Sequence, residues 1–111
     1  MTYTPDLWVI LEMTIDGEKP IHKILSSWLG GYVETSSWRI SSGILKIEDH
    51  EEYYEITNYS GSVYICNKNK IGMSHYTTGI YTNWIEQLKE NPGTSVKIIS
   101  IGNILTISEK G

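Results

Sequence analysis

The chain has 111 residues, 40% of them hydrophobic and 20% charged, which is the make-up of one folded domain over 1–111 and not of a disordered segment. Thirteen acidic residues against nine basic ones leave a formal charge of −4. Arg39 is the single Arg, so the basic field that a general nucleic-acid binder uses to displace counterions is missing, and an anionic membrane surface is disfavoured for the same reason.

In chain order, residues 7–14 read as a strand, apolar on both faces at its start as in the middle of a covered sheet. Asp16-Gly17 makes a turn. Residues 21–28 read as a second strand, broken by Gly30-Gly31. Residues 37–42 alternate: Trp38, Ile40 and Ser42 fall on one face, and Ser37, Arg39 and Ser41 on the other. Residues 44–48 and 52–58 flank the tip Asp49-His50-Glu51 as a hairpin. A further strand follows at 62–67, after the turn 58–61. From about Thr77 to Glu90 the period becomes helical, with Ile80, Trp84, Ile85 and Leu88 on one stripe, Ser74 or Thr77 as cap and Asn91-Pro92-Gly93 as stop. Residues 95–101 and 103–108 read as a last hairpin around Gly102-Asn103. The expected fold is α+β: a curved antiparallel sheet of six to eight strands with one helix of the C-terminal half packed on one face. The last hairpin is rich in Ile and short of charge, so at an edge it invites pairing with a second copy, and a homodimer is expected.

No apolar run approaches the roughly 18 residues of a transmembrane helix. The start of the chain lacks the basic and apolar regions of a signal peptide. Cytoplasm is the expected compartment. One cysteine, Cys66, excludes an internal disulfide and any multi-cysteine metal centre. Neither cofactor nor metal is expected.

The aromatic residues are four Trp and eight Tyr, with no Phe. Every ring therefore has a polar handle and suits a partner-facing surface as well as a core. Three stretches combine such rings with donors. In 36–43, Arg39 offers a rigid donor fork for phosphate or carboxylate, Ser37, Ser41 and Ser42 add hydroxyls, and Trp38 can stack a planar base. The plain alternative is a solvent-facing strand with Arg39 paired to a Glu. In 71–79, Ser74, His75, Tyr76 and Thr77 sit where a helix start would attract an anion; ordinary helix capping is the alternative, and no P-loop motif is present. In 59–66, Tyr64 and Cys66 share a face, with Cys66 read as a buried, inert thiol. Together, strand 36–43, strand 60–66 and the helix entry at 72–77 form one candidate ligand site if the sheet brings them together. At the tip Glu48-Asp49-His50-Glu51-Glu52, with Glu55, oxygen ligands and a His could hold a divalent ion, but the spacing matches no calcium loop and the stretch reads as a solvated hairpin end. His22, in mid-strand, reads as a structural histidine.

Trp28 with Gly30-Gly31-Tyr32, then Ser37-Trp38-Arg39 with Ser41-Ser42-Gly43, then Ser60-Gly61-Ser62 with Tyr64 and Cys66, then Gly72-Met73-Ser74, together with the opening Tyr3-Thr4-Pro5-Asp6-Leu7-Trp8, resembles a group of small, mostly uncharacterised bacteriophage proteins. The resemblance covers most of the chain up to Tyr81. It implies an accessory protein acting against host defence in the host cytoplasm. One class of such proteins holds nucleotide-derived immune signals in a closed pocket, commonly across a homo-oligomer. The expected function is accordingly a non-enzymatic sponge for a small phosphate-bearing nucleotide. The alternative is an inhibitor that binds a host defence enzyme through its acidic and aromatic surface. A small hydrolase of such a signal is a third reading; it needs a general base beside the ligand, and His75 is the one candidate.

Overall fold

The computed structural model describes residues 1–29 and 37–102. Among these residues, eight strands and the helix α1 build the expected α+β architecture, with the strands divided between two four-stranded sheets: β1 (Thr2–Tyr3), β2 (Leu7–Ile15), β3 (Ile21–Trp28), β4 (Ser37–Ile40), β5 (Ile44–Asp49), β6 (Tyr53–Asn58), β7 (Val63–Asn67), α1 (His75–Leu88) and β8 (Thr94–Ile99). Sheet A has the order β1-β7-β6-β5 and sheet B the order β4-β3-β2-β8. All neighbours are antiparallel except β1, which runs parallel to β7. Within the described residues the sheets are curled but not closed into a barrel.

The alternation of β2 generates the layers. Trp8 and Ile10 point towards sheet A and meet Ile24, Ile56, Tyr64, Cys66 and Ile101 in one core. Val9 and Leu11 point the other way and, with Leu25 and Val96, receive Met73, Tyr81, Trp84, Ile85 and Leu88 in a second core under α1. Sheet B is thus covered on both faces, which is why the first half of β2 is continuously apolar. Sheet A turns its other face to solvent, and β6 alternates accordingly, with Ile56 inside and Glu55 and Thr57 outside.

The helix starts at His75, two residues before the expected start, because Ser74 closes a reciprocal capping box with Thr77: the Thr77 N–H donates to Ser74 Oγ at 3.1 Å, and the Ser74 N–H donates to Thr77 Oγ1 at 2.9 Å. Gly17 and Gly61 take positive φ values of 83° and 92° in the two turns where the sequence places them. Strand β8 ends at Ile99, where a strand to 101 is expected. Ile101 and Gly102 are helical, and Ile101 inserts into the core between the sheets. The expected second arm, 103–108, lies outside the described residues. No helix among the described residues is long and apolar enough to cross a membrane.

Candidate functional site

Strand β4 lies at one edge of sheet B, and its alternation divides the predicted ligand residues. Trp38 and Ile40 face α1, where the Trp38 ring meets Trp84 edge-on at a centroid distance of 5.9 Å. Arg39 faces sheet A. Its guanidinium carbon lies 4.6 Å from the centre of the Tyr3 ring, within cation–π range. Tyr3 in turn packs 5.0 Å from Tyr64 and 6.1 Å from Trp28. Arg39 therefore spans the mouth between the two edge strands β4 and β1, over a box of three rings.

Tyr64 is buried. Burial pushes its phenol above the ordinary tyrosine value, and the Arg39 charge partly offsets that rise. Ser26, paired with Arg39 in the ladder, points into the same space, and its buried hydroxyl has no hydrogen-bond partner among the described residues. No carboxylate among the described residues pairs with Arg39. The Trp28 indole N–H donates to the Thr4 carbonyl at 2.9 Å, and the Leu29 N–H donates to Asp6 Oδ2 at 2.7 Å. These bonds hold the segment before β2 against the end of β3, so the box has fixed walls.

The serines have local tasks. Ser41 is buried; it accepts from the Ile24 N–H at 2.8 Å and donates to the Ser42 carbonyl at 2.7 Å. Ser42 Oγ donates to Ser60 Oγ at 3.0 Å and accepts from the Ser60 N–H at 3.1 Å, stapling the β4–β5 link to the β6–β7 turn. Ser37 is exposed opposite Trp28. Ser74 and Thr77 are buried and engaged with each other, while His75 and Tyr76 project outward from the first helical turn.

The structure brings Arg39 to Tyr64 through Tyr3, and Ser42 to the 60–62 turn. It does not bring Trp38 or the helix entry to Arg39, because sheet B stands between them. Tyr3, Trp28 and Ser26 were not anticipated. For Ser26 and Trp28 a signal existed, since they share a strand face that the two-residue period fixes. For Tyr3 there was none: its position depends on a two-residue parallel pairing with β7.

An apolar groove of about 170 Å³ lies under α1, lined by Leu11, Ile40, Trp84, Leu88 and Val96 among others. It is on the far side of sheet B from Arg39 and offers an anion no charge. Cys66 is fully buried, and burial pushes its thiol up to about 12, which removes it as a nucleophile at neutral pH. No family model, no curated protein and no solved structure matches this chain.

Proposed function

We propose that this protein is a phage-type accessory protein that binds and sequesters a small phosphate-bearing nucleotide signal without turning it over. The observation that carries the reading is Arg39: a cation stacked on Tyr3, free of any carboxylate among the described residues, at the mouth between the two sheets. Arg39 would take a phosphate on its donor fork, Trp28 and Tyr3 would offer faces to the base, and the unpartnered Ser26 hydroxyl would complete the polar contacts.

The test is thermal unfolding of the full chain against a panel of cyclic and ADP-ribosyl nucleotides. A ligand at one hundred times its Kd is expected to stabilise by about 2.7 kcal/mol. Arg39→Ala and Arg39→Lys should both abolish the shift, since an ammonium does not reproduce the fork. Recovery of intact ligand after heating separates sequestration from hydrolysis. The reading is refuted if no nucleotide shifts the transition, or if the shift survives in both variants. A single host protein captured in equal amount, with no nucleotide response, would favour the inhibitor reading. A homodimer belongs to the same proposal, with β8, an outer strand of sheet B among the described residues, presenting exposed Ile98. A light-scattering mass near 12.6 kDa would refute the dimer.

A further inference from the structure

We propose that Glu48, His50 and Glu55 bind one divalent transition-metal ion of the zinc class, on the solvent face of sheet A. This site lies on the opposite side of sheet A from Tyr3 and Tyr64 and stands independently of the nucleotide reading.

The β5–β6 register sets Glu48 directly opposite Glu55. Like charges facing each other across an antiparallel pair are destabilising, and Lys46 meets this pair from the Glu48 Oε1 side. His50 supplies the third donor from the hairpin tip. Its N–H donates to the Tyr53 carbonyl at 2.9 Å, and its ring stacks on Tyr53 at a centroid distance of 4.6 Å, so both backbone and ring are held. Its Nε2 then lies 3.8 Å from Glu48 Oε2 and 3.9 Å from Glu55 Oε1. Both separations are beyond hydrogen-bond reach. The same Nε2 atom is shielded from solvent, on a side chain that is otherwise 39% exposed, and has no hydrogen-bond partner among the described residues. A ring nitrogen hidden from water, aimed between two carboxylates and bonded to neither, is the arrangement an ion would complete.

All three donor atoms lie within 4.8 Å of one another. Donors around a tetrahedral ion with bonds of 2.0–2.2 Å stand about 3.4 Å apart, so small rotations of the two Glu side chains close the triangle. The neighbouring charges leave these donors available. Lys46 occupies Glu48 Oε1 at 2.9 Å, leaving Oε2 towards His50, and Lys68 takes Asp49 at 2.7 Å. One imidazole with two carboxylates is a donor set for zinc or manganese; calcium takes six to eight oxygens.

The experiment is a calorimetric titration of the full chain with Zn²⁺, alongside NMR of the histidine rings. The expected result is one Zn²⁺ per chain, with the His50 ring signals displaced and those of His22 unmoved. His50→Ala and Glu55→Gln should each weaken binding by more than roughly 10–100-fold, the range for loss of a mere outer-shell partner of a ligand. Glu55→Gln keeps the side-chain shape and guards against a folding artefact, checked by circular dichroism. The proposal is overturned by absence of binding at millimolar Zn²⁺, by an affinity unchanged in both variants, by ring shifts confined to His75, or by equal affinity for Ca²⁺.

Discussion

Replacing Ser41 by Ala removes one oxygen that closes the β3–β4 ladder beyond Ile40. Ser41 is 4% exposed and Ile24 0%, so water cannot reach the Ile24 N–H once its acceptor at 2.8 Å is gone. A buried donor left unsatisfied costs about 1–3 kcal/mol, and about 2 kcal/mol is the expected loss. Unfolding entropy of about 2.1 cal/mol/K per residue over 111 residues converts this to a fall in Tm of about 9 °C. Ser42→Ala is the matched control, because the Ser42 hydroxyl bonds Ser60 at the surface, and its effect should stay within about 0.5 kcal/mol. Differential scanning calorimetry of the two variants decides the matter. Equal melting temperatures would show that the Ile24 amide finds another partner, and Ser41 would return to the set of free ligand hydroxyls.

Cys66 should resist thiol reagents at pH 8 in the folded protein and react once denatured, since burial pushes its thiol up to about 12; rapid native labelling would contradict the core placement. Glu12 accepts from His22 at 3.0 Å and lies 3.4 Å from Lys97. Its carboxyl is held below the ordinary value of 4.5, chiefly by the His22 bond. A folded-state value below the unfolded one contributes stability that is complete above the ordinary value and lost as pH falls through the lowered one. Glu12→Gln should therefore destabilise at neutral pH, and the gap to wild type should close on acidification below about pH 4.5 in urea titrations. A gap that widens with acid would reverse the assignment.

Local patterning carried most of the strands. The two-residue period of 37–42 already separates Trp38 from Arg39, and the structure enforces that separation with a whole sheet. Trp8 is buried in the core at 1% exposure, and Trp84, on the apolar stripe of α1, is half-buried against the second core. The box around Arg39 was not legible, because it depends on which strands become edges. Tyr3 reaches Arg39 only through the parallel β1–β7 pair, a long-range choice that no local propensity encodes. The end of β8 was missed for a related reason: Ile101 is apolar enough to extend a strand, yet it leaves the ladder to fill the space between the sheets. The serine-rich stretches suggested anion donors, and burial assigned Ser41 to the backbone instead.

In a sheet with one wet face, register is guarded by polarity, since a slip of one residue exposes the apolar set. The first half of strand β2 has no such guard, because both of its faces are apolar and covered there. Its guard is shape. A one-residue slip would carry the Trp8 indole beneath the helix, into space fitted to Val9 and Leu11, and strip its N–H of the Asn67 carbonyl at 2.8 Å. The alignment of the covered half of β2 is thus specified by a difference in size between neighbours, with one indole as its key.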